Sequence, residues 1–177
     1  MSSILIVPIR PVDHAELASL AGPLEASFHL PAAIEERNYL DPSFALDSYR
    51  SQFNSTAIIV KLLERFPHFD GKILGITAVD LFVPVLTYVF GEAQLDGKAA
   101  VVSTFRLREE FFGLDADPKL ERTRLLKEAI HELGHTFGLI HCRNYDCVMH
   151  SSTSVEEVDL KPTDFCEDCR KQFVHAD

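Results

Sequence analysis

After Asp117-Pro118 the chain runs to Phe137 without another proline, and Gly134 is the one glycine on the way. Asp117-Pro118 reads as a helix start: a carboxylate at the N-cap, then proline at the first helical position, where its missing amide costs nothing. Leu125, Ala129, Ile130, Leu133 and Phe137 follow near helical spacing and mark a buried face. Gly138 accepts a positive φ, so the helix can end there and the chain can turn back. The pattern predicts a helix from Pro118 to about Leu139, a rod of roughly 30 Å around which the rest must pack. Gly134 inside it costs roughly 1 kcal/mol relative to alanine. A close approach of backbone or a metal cage would explain its presence.

The end of that helix carries His-Glu-Leu-Gly-His-Thr-Phe-Gly-Leu-Ile-His, from His131 to His141. His131 and His135 lie four apart, on one helical face, where both can bind one ion. The turn at Gly138 brings His141 round as a third nitrogen. Three neutral imidazoles with a fourth position open describe a catalytic zinc site. Glu132 sits beside the ion but turned away from ligation, where it can take a proton from water in the open position. Those roles fit hydrolysis of a peptide or other amide, with Glu132 as general base. A bare His-Glu-x-x-His also arises by accident on exposed helices; Gly138 and His141 at the required offsets make this pattern specific.

All four cysteines follow, as Cys142 and Cys147, then Cys166 and Cys169. Two short-spaced pairs suit a closed tetrahedral site, the structural kind of zinc. Disulfides and buried free thiols are the alternatives. The first residues have no basic stretch and only a short apolar run, and no segment approaches the ~18 apolar residues of a membrane span. A cytoplasmic protein is therefore expected, and there thiolate ligands are favoured over disulfides. A net charge of −10 argues against nucleic acid as a partner. The length, 177 residues with 46% hydrophobic, suits one globular domain. Its expected parts are residues 1–138, with sheet and active-site helix, and 139–177, with the cysteine site. We expect a monomer.

Elsewhere the reading is coarser. Ile4 to Ile9 reads as a buried strand, Asp13 as the cap of a short helix that Gly22-Pro23 stops, and Ala26 to Leu30 as a second strand. Residues 31–50 read as loop, and Ser51 to Phe66 as an amphipathic helix over one sheet face. Three strands follow: Lys72 to Phe82, Leu86 to Gln94 and Ala99 to Leu107. Asp96-Gly97 joins the last two as a hairpin, so the sheet is mixed. A final helix is expected from Pro162 to about Val174.

The stretch His-Glu-x-x-His-x-x-Gly-x-x-His-Cys, four residues to Cys147, then Val148-Met149 and a later Cys-x-x-Cys, resembles the archaemetzincins, a family of metzincin zinc metallopeptidases. The likeness is close from His131 to Cys169 and general before residue 118. It implies an α/β fold: a twisted mixed sheet with one antiparallel edge strand, packed on two long helices, above a small C-terminal subdomain. It implies catalytic zinc on His131, His135 and His141, and structural zinc on Cys142, Cys147, Cys166 and Cys169, two ions per chain. Met149 would be the methionine of the turn beneath the metal, and a peptide substrate would lie along an edge strand within Leu86 to Gln94. Some metzincins carry a tyrosine two residues past that methionine. Here Ser151 stands in its place, with Tyr145 as a candidate substitute. Cleavage within a chain or from its amino end stays open, as does a peptide-binding module with little turnover.

Overall fold

The computed structural model describes residues 3–174. Five strands form the main sheet in the order β2-β1-β5-β8-β7: β1 (Ser3–Pro8), β2 (Ala32–Ile34), β5 (Gly71–Thr77), β7 (Gly91–Ala93) and β8 (Ala99–Ser103). All neighbours are parallel except β7, which pairs antiparallel with β8 and forms one edge. Strand alternation sends Ile4, Ile6, Leu74, Ile76, Ala100 and Val102 to one face and Val7, Ile73, Ala99 and Val101 to the other. The first face packs on α1 (His14–Phe28) and α3 (Pro118–Thr136), the second on α2 (Ser55–Arg65). A small second sheet holds β3 (Leu46–Asp47), β4 (Gln52–Asn54) and β6 (Leu81–Phe82). The expected mixed sheet with an antiparallel edge strand on two long helices is therefore present. The continuous hydrophobic runs fit its parallel strands, which are covered on both faces.

Several local expectations are corrected. Gly22-Pro23 does not stop the first helix. It continues to Phe28 because Leu17, Leu20, Leu24 and Phe28 form one unbroken buried stripe, and it ends where His29 adopts a left-handed conformation (φ 55°). The strand expected at Ala26 to Leu30 is thus mostly helix, and the second strand is Ala32–Ile34, inside the stretch read as loop. The helix expected from Ser51 begins at Ser55, because Gln52–Asn54 pairs into the small sheet and Asn54 becomes the N-cap. Lys72 to Phe82 is two strands in two sheets, and Leu86 to Gln94 contracts to Gly91–Ala93. The last helix, α5, starts at Glu167, not Pro162; a short helix, α4 (Val155–Leu160), precedes it. Among the described residues no helix is long and apolar enough to cross a membrane.

Asp117 caps α3 through the amides of Lys119 and Leu120, with Pro118 in its first turn, as its sequence requires. Its far end closes in a Schellman pattern: the Gly138 amide donates to the His135 carbonyl and the Leu139 amide to that of Gly134, at 2.9 and 3.1 Å. Gly138 has φ 87°, and a Cβ there would meet nothing closer than 3.7 Å, so conformation, not space, demands glycine. Lys72 Nζ donates to the Thr136 and Gly97 carbonyls (2.7 Å each), placing a cation at the helix C-terminus and tying it to the β7–β8 hairpin. The Asp96 amide in that hairpin also donates to the His135 carbonyl at 2.9 Å.

Candidate metal centres and active site

The helix spacing and the turn at Gly138 bring His131, His135 and His141 together as expected, one nitrogen from each lying within 4.8 Å of the others. Two of the rings are held from behind. His131 Nδ1 donates to the Val148 carbonyl at 2.8 Å, and His135 Nδ1 to the Leu139 carbonyl at 2.7 Å. With Nδ1 protonated, each ring presents an Nε2 lone pair, and these two nitrogens stand 3.2 Å apart. Imidazole nitrogens at ~2.0–2.1 Å from one tetrahedral ion would stand about 3.4 Å apart, so the donor set fits zinc. Burial lowers the basicity of all three rings, and the Lys161 charge adds to this at each, which keeps the lone pairs available.

Glu132, on the same helix, is buried beside the cluster. That burial pushes its carboxyl well above the usual carboxylate range, with the Glu128 charge adding to the effect. A nearby cation would reverse part of the shift. Gly91 of the edge strand faces it. A Cβ there would fall 2.7 Å from Glu132 Cγ and 2.7 Å from the Val101 carbonyl oxygen, so only glycine lets the edge strand come this close.

The four cysteines also converge, their sulfurs within 4.8 Å of one another. Cys142 Sγ and Cys166 Sγ are 3.8 Å apart, far beyond the ~2.05 Å of a disulfide. Sulfurs at ~2.3 Å from a tetrahedral zinc stand about 3.8 Å apart, so this set fits a closed zinc site. Burial raises the Cys147 and Cys169 thiols. At Cys166 burial is outweighed by hydrogen bonds, first from the Cys169 backbone, which bring it down to about 7.

One tight turn joins the two clusters. The His150 amide donates to the Cys147 carbonyl at 2.9 Å, closing a turn with Val148 and Met149 at its centre. Cys147 belongs to the sulfur cluster, and the Val148 carbonyl orients His131. Met149, fully buried, lies under α3: a Cβ on Gly134 would stand 2.5 Å from its sulfur. That contact is the close approach the glycine implied, made by a side chain. Ser151 borders the site, whereas Tyr145 stands away from it, exposed, with its ring against His150.

Sequence reasoning missed the polar layer behind these clusters. Glu128 is one turn before Glu132 on the same face of α3, a spacing that could have revealed it. Its partner Lys161, at 2.8 Å, has no local sequence signal. Arg124 grips Asp159 with two bonds of 2.7 Å, and Lys127 Nζ donates to the Val158 and Asp159 carbonyls. Three polar groups spaced along α3 thus hold the segment around α4.

A helix that presents two imidazoles and a carboxylate, with a third imidazole returned by the turn after it, all beside an antiparallel edge strand, is the plan of a zinc metallopeptidase. Residues 29–175 match the model of peptidase family M54. The archaemetzincin of Methanocaldococcus jannaschii is 47% identical over 75% of this chain and 72% of its own length; that of Pyrococcus abyssi is 39% identical over 98% and 95%. Among solved structures, a zinc-dependent peptidase from Methanocorpusculum labreanum superposes with a TM-score of 0.88 at 30% identity, covering 97% of this chain and all of that one. The archaemetzincin of Archaeoglobus fulgidus, complexed with malonate, gives 0.80 at 35% identity, covering 96% and 99%. The chain belongs to peptidase family M54, the archaemetzincins.

Proposed function

We propose that this chain hydrolyses peptide bonds at the cluster of His131, His135 and His141, with Glu132 as general base. We also propose that Cys142, Cys147, Cys166 and Cys169 hold a second, structural zinc, making two ions per chain. The observation that carries the reading is the pair of aligned Nε2 atoms 3.2 Å apart, backed by two carbonyls, with a buried carboxylate on the same turn of helix. Zinc at the three imidazoles would supply Lewis acidity to a carbonyl oxygen and to water.

The chain's own residues do the rest. The peptide adds antiparallel to the outer edge of Gly91–Ala93, which has no partner strand among the described residues, and this lays its backbone beside Glu132. Glu132 accepts the proton that the attacking water gives up and returns it to the nitrogen of the leaving amine. Its buried setting favours the carboxylic acid and so helps that return. The Val148 and Leu139 carbonyls hold two rings in place throughout, so no reorientation is needed.

The test pairs metal analysis with digestion of a peptide library. The wild type is expected to carry two zinc ions and to cleave. Glu132→Ala keeps both ions and loses turnover by about 10²–10⁴-fold. Cys166→Ser/Cys169→Ser retains one ion. A single zinc in the intact protein would overturn the two-site reading, and unchanged cleavage by Glu132→Ala would remove its assigned role.

A further inference from the structure

Two cavities meet at Glu132, His141 and Gly91, one on each side of the histidine cluster. The cavity of about 390 Å³ is bordered by Leu95 and Ile140, 59% and 67% exposed, and offers an open apolar ledge. The other, about 360 Å³, runs between residues 86–90 and Ser151–Thr153 and reaches Glu128. Glu128 is 97% buried (3% exposed), yet its Oε1 receives no directed hydrogen bond among the described residues. Lys161 Nζ, outside the cavity lining, lies 2.8 Å from that oxygen and forms a buried ion pair with it. A carboxylate has about four lone-pair sites, and one ammonium does not fill them, so Glu128 keeps acceptor capacity at the wall of the cavity. Ser152 Oγ, on the opposite wall, is likewise buried without a partner among the described residues. Leu86, Val89 and Phe90 supply the apolar walls between them. With Glu132 at the rim, two acidic side chains line the space and one cation stands behind them.

Apolar walls leading to an under-satisfied carboxylate and a free hydroxyl suit a long aliphatic stem with a cationic N–H head. We propose that this cavity takes the side chain of a lysine or arginine next to the scissile bond, its head on Glu128 and Ser152. The proposal rests on the hydrolytic reading of the same site and adds a substrate class to it: peptides with a basic residue at one position flanking the cut.

The test reads binding as well as turnover. The zinc-loaded Glu132→Ala protein is titrated with acetylated, amidated peptides scanned at each position with lysine, arginine, norleucine and glutamate. At one position lysine and arginine are expected to bind about tenfold tighter than norleucine, the effect of one charge-assisted hydrogen bond. Glu128→Gln should erase most of that preference, and Ser152→Ala should reduce it about threefold. Glu128→Gln/Lys161→Met, which leaves no unpaired charge, should erase it as well and guards against a misfolded single variant. A preference for norleucine, a preference unchanged in both Glu128 variants, a preference seen only with a free peptide amino terminus, or no binding of any peptide would each overturn the proposal. Wild-type cleavage without basic selectivity overturns it while leaving the peptidase reading intact. Basic-selective binding without wild-type cleavage does the reverse.

Discussion

The five-stranded sheet and the segment after Leu139 are both buried against α3, but by different chemistry. The sheet offers side chains that alternate between two apolar faces, and its position follows from hydrophobic burial spread over many residues. The later segment contributes fewer apolar groups, chiefly Val148, Met149, Val155, Val158 and Phe165. It depends on point attachments: four thiols, Arg124 on Asp159, Lys127 on two carbonyls, and Lys161 on Glu128. Distributed burial tolerates the loss of one contact, whereas point attachments fail one at a time. Of the residues that orient the histidines from behind, Val148 lies in the second kind of region and Leu139 at its border.

The sharpest way to break that contrast is to remove two sulfurs. Cys166→Ser/Cys169→Ser is expected to cost on the order of 5 kcal/mol locally, a fraction of what structural zinc supplies elsewhere. Hydrogen exchange should show lost protection between residues 142 and 174 and retained protection in β1, β5 and β8; a uniform loss would mean the two regions are one cooperative unit. Leu74→Ala, at a fully buried sheet position, should cost about 3 kcal/mol and shift denaturant unfolding without changing zinc content. Gly134→Ala improves helix propensity yet puts a Cβ 2.5 Å from Met149 Sδ. It should destabilise by about 2 kcal/mol, and Met149→Ala in the same chain should recover part of that.

The smallest effect tests the sheet side. Burial, then hydrogen bonding and repulsion from Glu121, raise Glu16 of α1 to about 7. The folded protein thus holds a proton that the unfolded chain releases above about pH 4.3. Stability from this group is present at low pH and falls as pH rises through that window toward 7. Glu16→Gln, which mimics the protonated form, should flatten that slope and gain on the order of 1 kcal/mol at pH 8, read by thermal melts across pH.

What the sequence disclosed follows the same division. The helix carrying His131 and His135, its cap at Asp117, the reversal at Gly138 and the Cys pairs are local patterns; the structure contains the helix, cap and reversal and brings the cysteines together, with the helix ending at Thr136 and not near Leu139. Strands β5 and β8 are visible as apolar runs, and β7 only as the far end of a longer one. Gly22-Pro23 reads as a helix stop because local breakers carry no sign of the buried stripe that packs Leu24 and Phe28. Helix α4 escaped because six residues with two apolar anchors show no period. Glu128–Lys161 and Arg124–Asp159 join residues 33 and 35 positions apart, which no local spacing can announce.

Within about three turns helix α3 carries Arg124, Lys127, Glu128, His131 and His135, tied to Asp159, the Val158 carbonyl, Lys161, and the Val148 and Leu139 carbonyls, with Glu132 among them beside the edge strand. One inserted residue rotates everything beyond it by about 100°. An insertion between Arg124 and His135 would therefore separate the anchors from the histidines, even if every side chain were kept. The Ser151–Ser154 connection carries no such helical phase, so a change of length there disturbs only the cavity wall it forms. Divergence within the family should accordingly spare the length of this helix and accumulate as gaps after the methionine.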